Sequence, residues 1–72
     1  MYELKVRKAQ ARRFKQVARS KMILKNLRMK DLAALSGYSP SSLYNFFSDG
    51  NWNRFLAATL AEKLDIKERE WR

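Results

Sequence analysis

The side chains able to do chemistry in this chain are few, and their types point to binding. Its 72 residues include no His and no Cys. That removes the commonest general base and metal ligand, together with thiol catalysis, disulfides and cysteine-based zinc sites. Seven carboxylates remain. Asp31 and Glu62 could be weighed as catalytic acids, but no motif supplies a nucleophile or base to work with them. No enzyme activity, metal or cofactor is expected. What is left is charge and hydrogen bonding: sixteen Lys or Arg, and an uncharged stretch, Ser39-Pro40-Ser41-Ser42-Leu43-Tyr44-Asn45.

The charge is lopsided. Residues 1–30 carry eleven bases against Glu3, a net of +10, while residues 31–72 carry five bases and six acids, a net of −1. Such a field suits a polyanion, either nucleic acid or an anionic membrane surface. The membrane reading is the weaker. No run approaches the roughly 18 apolar residues of a span, and no apolar core follows the N-terminal charges as in a secretory signal. An interfacial helix over residues 7–21 would have mainly Phe14 and Val17 to bury. A cytoplasmic protein without a membrane partner is expected. Lys5, Lys8, Arg12, Lys15 and Arg19 step by three or four, which makes a basic stripe on a helix.

The elements that must position these groups read as helices. With two Gly and one Pro, the chain has few breakers, and an all-α bundle of four to five short helices is expected. Residues 1–10 are a basic arm or the start of helix 1; Tyr2, Leu4 and Val6 alternate with polar residues, so a short strand is a third option. Residues 11–72 form the domain proper. The first helix is expected over about Ala9 to Lys25, with Phe14, Val17, Ala18 and Leu24 inward, Ile23 outward and Asn26 as the residue that ends it. The second covers about Met29 to Ser36, burying Leu32, Ala33 and Leu35. Ser39 caps the third and Pro40 takes its first position; it runs to about Ser48 and buries Leu43, Phe46 and Phe47. After Asp49-Gly50-Asn51 a fourth helix covers about Asn53 to Leu64, with Phe55, Leu56, Leu60 and Leu64 inward. Ile66 to Trp71 could open a fifth. Trp52 is a core lid, a DNA contact or a partner contact; Trp71 is a packing anchor or part of a dimer contact.

The strongest motif is helix, tight turn, helix. Ala33 is small where two helices cross, Gly37 supplies a positive φ for the turn, and Tyr38 and Leu43 lock the helices to the core. The outer face of the third helix is then free to enter a major groove.

The run ARRFKQVARSKMILKNLRMKDLAALSG, from Ala11 to Gly37, resembles the first two helices of a lambda-repressor-like domain of the Cro/repressor-type helix-turn-helix family. The likeness extends through Ser41, Phe47 and LAATLAEKL (Leu56 to Leu64), and covers roughly residues 11–71. It implies base-facing roles for Ser39, Pro40, Ser41, Ser42, Tyr44 and Asn45. It implies phosphate contacts from Arg28 and Lys30 at the start of the second helix, and from Asn51, Asn53 and Arg54 after the third. Arg12, Lys15 and Arg19 of the basic stripe join the phosphate set.

This sequence also departs from that pattern. Pro40 and Met29 stand where the phage lambda repressor has Gln residues that cooperate on an A·T pair, so that operator does not transfer. Arg28 replaces the usual Ser or Thr cap. The third helix has no Lys or Arg, which removes the common Arg–guanine contact and leaves Asn45 for adenine and Tyr44 for a thymine methyl or a phosphate. The resulting expectation is a sequence-specific double-stranded DNA-binding regulator of phage or bacterial type. It would bind a pseudo-palindromic operator as a homodimer, in a bacterial cell or phage-infected host. The alternative keeps the scaffold and acts through a protein partner by way of Trp52 or Ile23, as an antitoxin, excision factor or nuclease inhibitor would.

Overall fold

The computed structural model describes residues 6–72. Expectations for Tyr2, Leu4 and Lys5 lie outside the described residues. Four helices follow one another: α1 (Lys8–Leu24), α2 (Met29–Ser36), α3 (Pro40–Phe47) and α4 (Arg54–Lys63). A single 3-10 turn, Glu68–Glu70, stands where a fifth helix was expected to begin. Among the described residues there is no strand. The architecture is an all-α bundle with a Cα radius of gyration of 11.1 Å.

Local chemistry sets the helix limits. The Arg7 N–H donates to Gln10 Oε1 at 3.1 Å, so the third residue of α1 closes its own start. Asn26 adopts φ 56°, and the Leu27 N–H reaches back to the Met22 carbonyl at 2.8 Å. That left-handed ending satisfies a carbonyl the last turn would otherwise leave unpaired. Arg28 offers no hydroxyl to cap α2, yet Asp31 reaches back to the Arg28 N–H at 2.9 Å and supplies half of a capping box. Gly37, at φ 81°, ends α2. Ser39 then accepts from the Ser42 N–H, and Pro40 opens α3 without losing a needed donor. Asn53 caps α4 through the N–H groups of Phe55 and Leu56. Asp65, at φ 55°, repeats the left-handed ending after α4, with Ile66 N–H bonded to the Ala61 carbonyl.

The core is one cluster. Phe14, Ala18 and Met22 from α1 meet Leu32 and Ala33 from α2, Leu43, Phe46 and Phe47 from α3, and Leu56, Ala57 and Leu60 from α4; Leu64, Ile66 and Trp71 close it. At its centre the rings of Phe14 and Trp71 stand edge to face at 5.4 Å, an arrangement that suits the ring quadrupoles. Three inward assignments are corrected. Leu24 is 82% exposed, Leu35 44% and Phe55 62%. Leu24 is the last residue of α1, where the chain is already turning away, and Met22 buries in its stead. In α4 the stripe runs through Leu56, Ala57 and Leu60, which turns Phe55 outward, where Arg54 stacks on its ring at 4.8 Å. Leu35 lies one position off the Leu32–Ala33 stripe of α2.

Candidate nucleic-acid interface

Two hollows flank α3. On one side Arg19, Met22 and Ile23 of α1, Leu27 of the following turn, Met29 at the start of α2, and Tyr44 of α3 enclose an open, mostly apolar groove. On the other side Tyr38, Ser42, Asn45, Asn51 and Asn53 surround a polar hollow between α3 and the start of α4. The ridge between them carries exposed Ser41, Tyr44 and Asn45. Residues far apart in sequence therefore converge on the faces of one short helix.

The basic set divides by environment. Arg19 lies along this face with its guanidinium over the Phe47 ring at 5.3 Å. Lys8, Lys25, Arg28 and Lys30 are exposed, and among the described residues no ion pair engages them. Arg12 is held by Asp49: its Nε and Nη2 donate to the two carboxylate oxygens at 3.0 and 3.2 Å. That hydrogen bond, aided by the charge, raises the Arg12 pKa and lowers that of Asp49; Lys15 and Lys8 lower Asp49 further. Arg54 turns away onto Phe55 and lines neither hollow.

Lys15 departs from the expected exposed stripe, because it is buried. Its ammonium donates to the carbonyls of Ser48 at 2.9 Å and Asn51 at 2.6 Å, and sits 5.4 Å from the centre of the Phe46 ring. Desolvation is the main influence on its pKa and lowers it, with Arg19 and Arg12 adding to the effect against Asp49. The carbonyls and ring take the place of water around the charge, as a buried cation requires. A sequence signal existed. Residues 11, 14, 15, 18 and 22 fall on one helical stripe, and all of them are buried.

Other predicted positions are partly committed. The Ser39 hydroxyl accepts from the Ser42 N–H and donates to Ser42 Oγ at 3.0 Å. Pro40 and Ser41 are exposed at the start of α3. Asn45 and Asn51 form a pair that spacing alone did not suggest: Asn51 Nδ2 donates to the Asn45 carbonyl at 2.9 Å and to Asn45 Oδ1 at 3.3 Å. Trp52 is half-buried and packs on Phe14 and Phe46 at 5.4 Å each. Its position fits the core-lid expectation. Its indole N–H is buried and has no hydrogen-bond partner among the described residues. Ile23 is 78% exposed, as expected.

Among the described residues no group of His, Cys, Asp or Glu could hold a metal, and no helix is long and apolar enough to cross a membrane. Comparison with protein-family models, with curated proteins and with solved structures gave no match.

Proposed function

We propose that the protein is a sequence-specific double-stranded DNA-binding regulator of the lambda-repressor-like type, with α3 as the recognition helix. The observation that carries this reading is the convergence around α3. Its exposed face is polar and uncharged, while Arg19 from α1 and Met29 from α2 border it, with exposed Arg28 and Lys30 beside Met29 in sequence. A recognition helix needs donors toward base edges and cations toward phosphates on either flank. Ser41, Ser42, Tyr44 and Asn45 fill the first need. Arg19, Arg28 and Lys30 fill the second, with Arg12 joining once it leaves Asp49 and Asn53 adding a neutral donor at the start of α4. Two copies on a pseudo-palindromic operator would place their α3 helices one helical turn apart, about 34 Å.

Selection from random duplexes at about 150 mM salt, near physiological ionic strength, tests this. Enrichment of a two-fold symmetric site is the expected result. Binding to the best selected site no tighter than to bulk DNA would refute the reading.

A second reading has its own observation. The groove beside Tyr44 is largely apolar, and Ile23 and Leu24 on that end of α1 are exposed, which favours a protein partner on the same scaffold. A stoichiometric partner whose binding is lost in Ile23→Ser, with DNA dispensable for activity, would replace the first reading.

A further inference from the structure

We infer that Asn51 and Lys15 are positioning residues that fix which end of the Asn45 carboxamide leads outward. This rests on the DNA-binding reading and adds a specificity rule to it.

The direction of the Asn45 amide follows from what each atom can do. The main-chain carbonyl of Asn45 can only accept, so the Asn51 atom that meets it must be its NH2 group. The same NH2 group also meets the Asn45 side chain, so the Asn45 atom there must be the oxygen. Asn45 Nδ2 is left without a partner among the described residues. Asn51 is itself held. Its N–H donates to the Ser48 carbonyl at 3.3 Å, and its carbonyl accepts from Lys15 at 2.6 Å. Lys15 also holds the Ser48 carbonyl, so one buried ammonium ties both ends of the turn Ser48–Asn51. The chain of contacts runs from Lys15 to Asn51 to Asn45, on three different elements.

A free asparagine can rotate its amide to suit a donor or an acceptor. A fixed one cannot. With the NH2 group leading, Asn45 favours a base edge with an acceptor: purine N7, guanine O6 or thymine O4. Adenine meets the leading NH2 group through its N7 acceptor. Cytosine offers only its amino donor in the major groove and is rejected.

The test measures relative affinity for all four bases at the base pair that Asn45 faces, in wild type and variants. Wild type should disfavour cytosine by about 5- to 150-fold, the span of a good base contact. Asn51→Ala should let the amide rotate and shrink that rejection severalfold. Asn51→Asp should draw the Asn45 NH2 group onto the new carboxylate, turn the oxygen outward and shift the ranking toward cytosine. Lys15→Met should lose discrimination at this base pair while the salt dependence stays that of wild type.

Unchanged base rankings in both Asn51 variants would overturn the inference. So would uniform weakening by Lys15→Met with a salt slope lower by about one, the mark of a lost phosphate contact. Should wild type show no sequence preference at all, the DNA-reading proposal fails on its own, and the positioning chain is judged in the free protein. There, 15N relaxation of the Asn45 side-chain NH2 should show a rigid amide in wild type and a mobile one in Asn51→Ala and Lys15→Met. Equal mobility in all three would sink it.

Discussion

Arg12 shows how little a residue type says about its availability. Its guanidinium is a strong phosphate ligand in principle, but Asp49 already occupies it with two hydrogen bonds. Both groups are exposed, so the pair adds little to stability; its effect is on the free charge offered to a polyanion. Asp49→Asn should therefore raise affinity for random DNA and steepen the slope of log K against log salt by about 0.9, one added phosphate contact. An unchanged slope would show that Arg12 lies off the DNA. At α3 itself, Asn45→Ala should remove about 1–3 kcal/mol of discrimination at one base pair, measured by competition between matched and mismatched duplexes. None of these pairings was legible in the sequence. Arg12 and Asp49 are 37 residues apart, and Lys15 and Asn51 are 36 apart. Helical spacing shows which residues share a face, and only the packed bundle shows what that face meets.

The helices were far easier to read, because their start and stop signals are local. Gly37, Ser39 and Pro40 perform the turn and cap chemistry that their types prescribe. Asn26 does the same after α1. Gly37→Ala should destabilise by about 1–2 kcal/mol, the cost of a Cβ at a left-handed position. Beyond its chain neighbours, no atom of the described residues lies within 4 Å of the added Cβ, so the loss would be backbone strain and not collision. Ser39→Ala should cost about 1 kcal/mol by leaving the Ser42 N–H uncapped. Thermal melts followed by circular dichroism measure both, and no change in either would contradict the cap assignments. The failures fell at element ends and edges. Leu24, Leu35 and Phe55 are apolar residues whose exposure depends on where the next element departs. Asp31 as a substitute cap for α2 could have been anticipated, since it stands three residues after Arg28.

For the whole molecule, one aromatic ring has outsized weight. Phe14 touches Phe46, Trp52 and Trp71 edge to face. Phe14→Ala should cost about 3–5 kcal/mol. That is a large part of the roughly 4–11 kcal/mol available to a chain of this size, and denaturant titration should show a partly or wholly unfolded variant. Acid should act on all the elements together. Asp49, Asp65 and Glu70 have pKa values lowered by hydrogen bonds first and by the charge of neighbouring bases second. Lowered folded-state values mean stability that is present above the ordinary carboxylate range and lost as pH falls through them. As pH falls below about 4, sixteen positive side chains would also progressively lose their counter-charge and repel one another. The melting temperature should be flat from about pH 7 to 5 and then fall; a flat profile down to pH 2 would show that these ion pairs add nothing.

The two indoles have an optical consequence. Trp52, on the turn before α4, and Trp71, beyond the 3-10 turn, lie 6.4 Å apart with their planes skewed by 46°. Excited states that close and that askew couple, and should give a signed couplet in the ultraviolet circular dichroism. Its amplitude depends on both indoles keeping their seats. The protein thus carries an unlabelled gauge of whether its lid and its last segment stay docked, readable with and without added DNA.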